Sequence, residues 1–261
     1  MNPFHPFQPA LGQKFFNRSG ELNSILQRIN QSASTAVVGN PHIGKTSLIK
    51  KLADPKQLKA ANIIASQNAI AELTIELFDE KDTPAKFWQE VCKKAITHKS
   101  DFVKPLKVFT NHAKYNSHAL FDTFGKIGAK GKRVIVFIDE FDKILNRPHL
   151  KSIDFIEPLQ AMTQKTGGLC LVITSRKSIA DLQEEIPVFG SPFDSNAFHL
   201  GGFDDATIDE LFLESGLSAD GIEEAKLLGG HHPFLLHLAG ELLWEVRDKP
   251  AAQWCPTRSF H

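Results

Sequence analysis

The stretch Gly39-Asn40-Pro41-His42-Ile43-Gly44-Lys45-Thr46 carries its glycines, lysine and threonine at the spacing GxxxxGK[ST]. Ala36-Val37-Val38, short, apolar and largely β-branched, runs into it. Helical spacing resumes after Lys45 at Leu48, Ile49 and Leu52. A strand, a glycine-bounded loop and a helix thus follow one another, which is the context a phosphate-cradling loop requires. The glycines let backbone N–H groups turn inward toward phosphate oxygens, and the helix beginning at Lys45 adds its positive N-terminal end. On this reading Gly39, Asn40, Pro41, His42, Ile43, Gly44 and Ser47 line the phosphates. Lys45 reaches the β- and γ-phosphates, and the Thr46 hydroxyl ligates Mg²⁺. The bland alternative, a glycine turn before a basic helix, does not explain why every fixed position is filled.

Two further strands read as buried on both faces, Val134-Ile135-Val136-Phe137-Ile138 and Leu169-Cys170-Leu171-Val172-Ile173. The first ends in Asp139-Glu140. A carboxylate at the C-terminal tip of a buried strand sits where open α/β sheets bind their ligands. Asp139 is placed to hold Mg²⁺, and Glu140 to polarise a water against a γ-phosphate. Alone the pair would read as a solvated acidic turn; with the glycine loop upstream it reads as chemistry. Asp142 is expected only to cap the next helix. The second strand ends in Thr174-Ser175-Arg176, where a guanidinium can contact the γ-phosphate and report its loss. An exposed basic residue opening a loop is the plain alternative.

Working outward, residues 1–14 lack a period and read as an extended arm. Leu22, Ile25, Leu26 and Ile29 mark a helix capped by Ser19. Leu73, Ile75 and Leu77 alternate as a strand would. Thr83-Pro84 opens a helix through Phe87, Val91 and Ala95, and Ser117–Ile127 is another. The helical stretch 155–164 lies between the two buried strands, and Phe198-His199-Leu200 reads as a last short strand. The alternation of helix and strand predicts a three-layer αβα parallel sheet. Beyond Gly201-Gly202 only helical segments follow, at 206–213, 222–228 and 234–246. The expected division is 1–30 as arm and flanking helix, 31–200 as the phosphate-loop core, and 201–261 as a small helical lid with an irregular tail.

The 261 residues are 42% apolar and 23% charged, ordinary for a globular chain. Thirty basic and thirty acidic residues give zero formal net charge. That argues against nucleic-acid binding through bulk charge, although a local patch remains compatible with it. The basic stretch Lys93–Lys114 is therefore expected to be a solvated face. Three scattered cysteines, Cys92, Cys170 and Cys255, point to a reducing cytoplasm. No apolar run is long enough for a membrane helix. His231, His232 and His237 lack the further ligands a zinc site needs.

A phosphate-loop strand followed by VIVFIDE and then LCLVITSR resembles the P-loop NTPases that carry an additional strand and a catalytic glutamate. Within them it resembles the STAND class and its archaeal-type ATPase relatives. Phe15-Phe16-Asn17-Arg18 followed by Glu21-Leu22 is similar to the family's F-x-x-R-x-x-E-L element, with Asn17 where many members carry glycine. Gly229-Gly230-His231-His232-Pro233-Phe234-Leu235-Leu236 resembles the G-x-H-P-[FY]-x-L element of the helical lid. The resemblance covers residue 15 to about residue 246. It implies an ATP- and ADP-binding protein with Mg²⁺, with Glu140, Lys45 and Arg176 catalytic and Thr46 and Asp139 on the metal. It further implies that Phe16, Arg18, His232 and Pro233 flank the base, that ATP closes the lid, and that a protein partner or a second copy is engaged. A slow ATPase switch in signalling or defence is the expected function, with a non-hydrolysing nucleotide scaffold as the rival. No N/T-K-x-D motif supports a GTPase, and a P-loop kinase would not need the water-activating Glu140. STAND proteins usually flank this region with effector and winged-helix domains. Neither is read here, and the tail at 251–261 has the look of a truncation or frame shift.

Overall fold

The computed structural model describes residues 2–8, 10, 18–189, 193, 197–213 and 215–247. Its five strands are β1 (Thr35–Val38), β2 (Asn68–Thr74), β3 (Arg133–Asp139), β4 (Leu169–Ser175) and β5 (Ala197–His199). All pair in parallel, in the spatial order β2-β3-β4-β1-β5. Parallel neighbours need long crossovers, and helices supply them. After α1 (Ser19–Asn30) and β1, α2 (Lys45–Leu52) and α3 (Pro55–Ala60) lead to β2. From there α4 (Pro84–Ile96) and α5 (Ser117–Gly128) lead to β3, and α6 (Ile153–Lys165) leads to β4. α7 (Ile179–Glu185) follows β4.

Alternation along the strands sorts the core into two faces. Ala36, Ala69, Ala71, Val134, Val136, Leu169 and Leu171 share one apolar cluster with Phe87, Trp88 and Val91 of α4, Leu120 and Phe124 of α5, and Phe155 and Leu159 of α6. The alternate residues Val37, Ile135, Phe137, Cys170 and Val172 are equally buried but lie outside that cluster, as do Leu48, Ile49 and Leu52 of α2. Burial on both faces is why β3 and β4 read as unbroken apolar runs. The three-layer αβα sheet expected from the sequence is the fold.

Two local expectations are corrected. The strand placed at Leu73, Ile75 and Leu77 lies earlier, at β2, and Ile75–Leu77 is a 3₁₀ turn. There the Thr74 hydroxyl accepts the Glu76 N–H, at 3.3 Å, and ends the extended backbone. β2 escaped notice because its core-facing residues are alanines, which carry little strand signal. Ser19 does not cap α1: Arg18 occupies the cap position without a side-chain cap bond, and pairs with Glu21 at 3.1 Å.

The chain forms two compact units, one of residues 18–41 and 45–200, the other of residues 1–17, 42–44 and 201–261. The second holds α8 (Asp205–Phe212), α9 (Ala219–Gly229) and α10 (Pro233–Val246). Its core joins Ile208, Leu211 and Phe212 to Ala225, Leu236, Ala239 and Leu243. Phe4, from the segment expected to be an extended arm, is buried in this core. The ring lies so close to Gly240 that a Cβ there would come within 2.5 Å of it. Glycine is what permits that approach.

Candidate functional site

The site begins where β1 ends. The Gly39 N–H donates to Ser175 O at 3.1 Å, extending the β1–β4 ladder into the loop and fixing its start beside the tip of β4. Gly44 takes φ +104° and His42 φ +58°. The first value is the kind of backbone only glycine adopts without strain. Lys45 Nζ, nearly buried, donates to the carbonyls of Gly39 at 2.6 Å and Asn40 at 2.7 Å. Burial pushes its pKa below the usual lysine value, against the pull of Asp142, and Arg176 adds to the lowering. An ammonium held under desolvation at the mouth of a backbone loop is poised for an anion.

β4 lies between β1 and β3, so the three strand tips are neighbours. Thr46 Oγ1 donates to Asp139 Oδ2 at 2.6 Å across 93 residues of sequence. A hydroxyl and a carboxylate brought together are hard oxygen donors of the kind Mg²⁺ takes alongside phosphate oxygens and water. Thr174, fully buried on β4, donates from its hydroxyl to Asp139 Oδ1 and accepts the Glu140 N–H at 2.9 Å. That second bond holds Glu140 in a left-handed turn at φ +53°. The turn bends the chain away from β3 and presents the Glu140 side chain beside the strand tip.

Both oxygens of Glu140 are occupied. Arg176 donates to Oε1 at 3.0 Å, and Lys143 approaches Oε2 at 2.9 Å. Lys143 also holds Glu76, at 2.6 Å. Burial works against the Lys143 charge, but its hydrogen bonds to Glu76 and Glu140 outweigh it and raise the pKa above the usual lysine value. The hydrogen bond from Lys143 likewise holds the Glu76 carboxyl below its ordinary range. Asp142 does not act as a helix cap: its carboxylate accepts the Arg176 N–H at 3.0 Å and so pins the base of that arginine. A cavity of about 600 Å³ opens beside this cluster, lined by Thr46, Thr74, Glu76, Lys86, Asp139 and Glu140.

The sheet unit therefore brings together Gly39, Asn40, Lys45, Thr46, Asp139, Glu140 and Arg176 from the sequence reading. Pro41 and Ser47 belong to the same unit, and Arg18 stands buried at the start of α1. His42, Ile43 and Gly44 group with the C-terminal unit, as do His232 and Pro233, which open α10. Phe16 lies outside the described residues. Thr174, Lys143 and Glu76 were missed. Thr174 was in view within Thr174-Ser175-Arg176, and Lys143 follows the acidic pair by three residues. Glu76 lies 64 residues before Glu140, and only the fold joins them.

Residues 15–178 match the ATPase_2 family, described as an ATPase domain predominantly from Archaea. The chain belongs to this family. No protein of curated function is similar enough to match. Among solved structures, this ATPase domain is similar to a Walker-type ATPase of Pyrococcus abyssi, with 18% identity and a TM-score of 0.64 over 92% of this chain and 71% of that one. It is also similar to the ORC1 protein of Aeropyrum pernix, solved in complex with DNA, with 14% identity and a TM-score of 0.56 over 92% of this chain and 63% of that one. Drosophila ORC bound to DNA gives 16% identity and a TM-score of 0.58 over 93% and 58%. At these identities the likeness is one of fold. Together the family and the fold make this an ATP-binding ATPase domain. Among the described residues no helix is long and apolar enough to cross a membrane.

Proposed function

We propose that this domain hydrolyses ATP slowly, with Mg²⁺, and serves as a nucleotide-controlled switch in signalling or defence in the cytoplasm. The observation that carries the reading is the ion-paired Glu140, whose two oxygens are taken by Arg176 and Lys143. A carboxylate so engaged is a poor acceptor for a proton from water. A γ-phosphate offers the Arg176 guanidinium a stronger, bidentate anionic partner than Glu140 does. Arg176 then leaves Oε1, which is free to accept the proton of the attacking water. The water oxygen bonds to the γ-phosphorus, and the bridging oxygen departs with ADP. Mg²⁺, held by Thr46 and reached by Asp139, would neutralise charge on the phosphate oxygens. Lys45 binds the β- and γ-phosphates, and Thr174 keeps Asp139 and the Glu140 backbone in place. Lys143 stays on Oε2 and restrains the base, which keeps turnover slow. The resemblance to STAND proteins is what suggests signalling or defence, and a protein partner or second copy as the reader of the nucleotide state.

The test is Lys143→Met, which keeps the length of the side chain and removes its charge. Steady-state ATPase assays should show kcat rising several-fold, with KM for Mg-ATP unchanged, because Lys143 touches the base and not the nucleotide. A fall in kcat would mean that Lys143 positions Glu140 productively, and would overturn the restraint. Absence of turnover in both proteins would favour the scaffold reading.

A further inference from the structure

The charge balance of the whole chain hides a local excess. Between Lys93 and Arg133, the crossover from α4 to β3, stand nine lysines and one arginine against two carboxylates, Asp101 and Asp122. The rest of the chain holds twenty cations against twenty-eight anions. The crossover is one packed layer. Its 3₁₀ helix Asp101–Thr110 packs on α4 and α5 through Val103, Leu106 and Phe109, and the Gln89 side chain ties its end to α4 through Thr110 O at 2.7 Å.

Few of the cations are spent inside the protein. Lys93 pairs with Glu90, Lys104 with Asp101, and Arg133 donates to the carbonyls of Ile29 and Asn30. Lys94, Lys99, Lys107, Lys114, Lys126 and Lys130 are exposed and carry no ion pair among the described residues. Like charges crowded on one layer repel, so an unpartnered excess of this size costs stability unless an anionic partner offsets it.

We propose that the α4–β3 crossover is a docking surface for the phosphate backbone of duplex nucleic acid, bound without regard to sequence. The residue types select this partner. The free cations are lysines, point charges suited to phosphates, and no arginine is left for bidentate reading of base edges. Exposed Asn111, His112, Asn116 and His118 add hydrogen-bond donors among them. The aromatic residues Phe102, Tyr115 and Phe121 pack against the core, so the layer presents no ring on which unpaired bases could stack. Of the large apolar residues here only Val108 is markedly exposed, too little to anchor the layer in a lipid surface.

Fluorescence anisotropy of a labelled mixed-sequence duplex of about 30 base pairs, at about 50 mM salt and without nucleotide, tests this. Micromolar binding is expected, equal for unrelated sequences, and falling steeply as salt rises. The triple variant Lys99→Glu, Lys107→Glu, Lys114→Glu should weaken it at least tenfold and shallow the salt slope by about two to three. The control triple Lys56→Glu, Lys81→Glu, Lys165→Glu makes the same net charge change elsewhere and should bind within about twofold of wild type. Circular dichroism checks that both variants are folded. No binding below about 100 μM, equal losses in the two triples, or tighter binding to anionic vesicles than to duplex would each overturn the proposal.

Discussion

Lys45 donates to two carbonyls of its own loop while burial lowers its pKa, so its charge is tolerated in the free protein and rewarded only by an anion. Lys45→Ala should therefore abolish detectable ATP binding in calorimetry. Wild-type affinity in that variant would remove the phosphate role from the loop. Thr174 makes a different kind of contribution, since it is buried and bonds to Asp139 and to the backbone of Glu140. Replacing it with the isosteric valine removes two hydrogen bonds and leaves the half-buried Asp139 Oδ1 and the Glu140 N–H only each other, at 3.1 Å, a loss of about 1–3 kcal/mol in stability for the two bonds. Thr174→Val should also lower kcat at saturating Mg-ATP, while Thr174→Ser, which keeps the hydroxyl, should restore it. Equal kcat in the valine and serine variants would reduce Thr174 to packing.

At the scale of elements, the strands buried on both faces announced themselves, because β3 and β4 carry five consecutive apolar residues each. β2 did not. It is an edge strand whose two core alanines, Ala69 and Ala71, carry little signal, and the alternation read at Leu73, Ile75 and Leu77 straddles its end. The loop-helix junction and the acidic strand tip were legible because backbone geometry and chemistry restrict them to a few residue types. The Lys143–Glu76 pair beside Glu140 was not, since it depends on which strand lies beside β3. The same burial sets the behaviour of two thiols, Cys92 on α4 and Cys170 on β4, each pushed up to about 12. Their native thiols stay protonated where unfolded ones ionise, from about pH 9. The stability they contribute is thus complete below about pH 9 and is lost as pH rises toward 12. With Ellman's reagent at about pH 8, both should be silent in the folded protein and react on denaturation. Rapid labelling of either in the native state would contradict their burial.

For the molecule as a whole, one parallel sheet places three strand tips side by side and so gathers the start of the loop after β1, the acidic pair at the end of β3 and the arginine after β4 into one cluster. The α4–β3 crossover leads into the same sheet and carries a local surplus of positive charge. The central claim is that the cluster hydrolyses ATP through Glu140 and not merely binds it. Single-turnover hydrolysis of Mg-ATP by wild type and Glu140→Gln, with binding measured on the same samples, tests this most directly. The account predicts equal binding and a hydrolysis rate lower by about 10²–10⁴-fold in the variant, the usual loss when a general base is removed. Equal rates in the two proteins would contradict it.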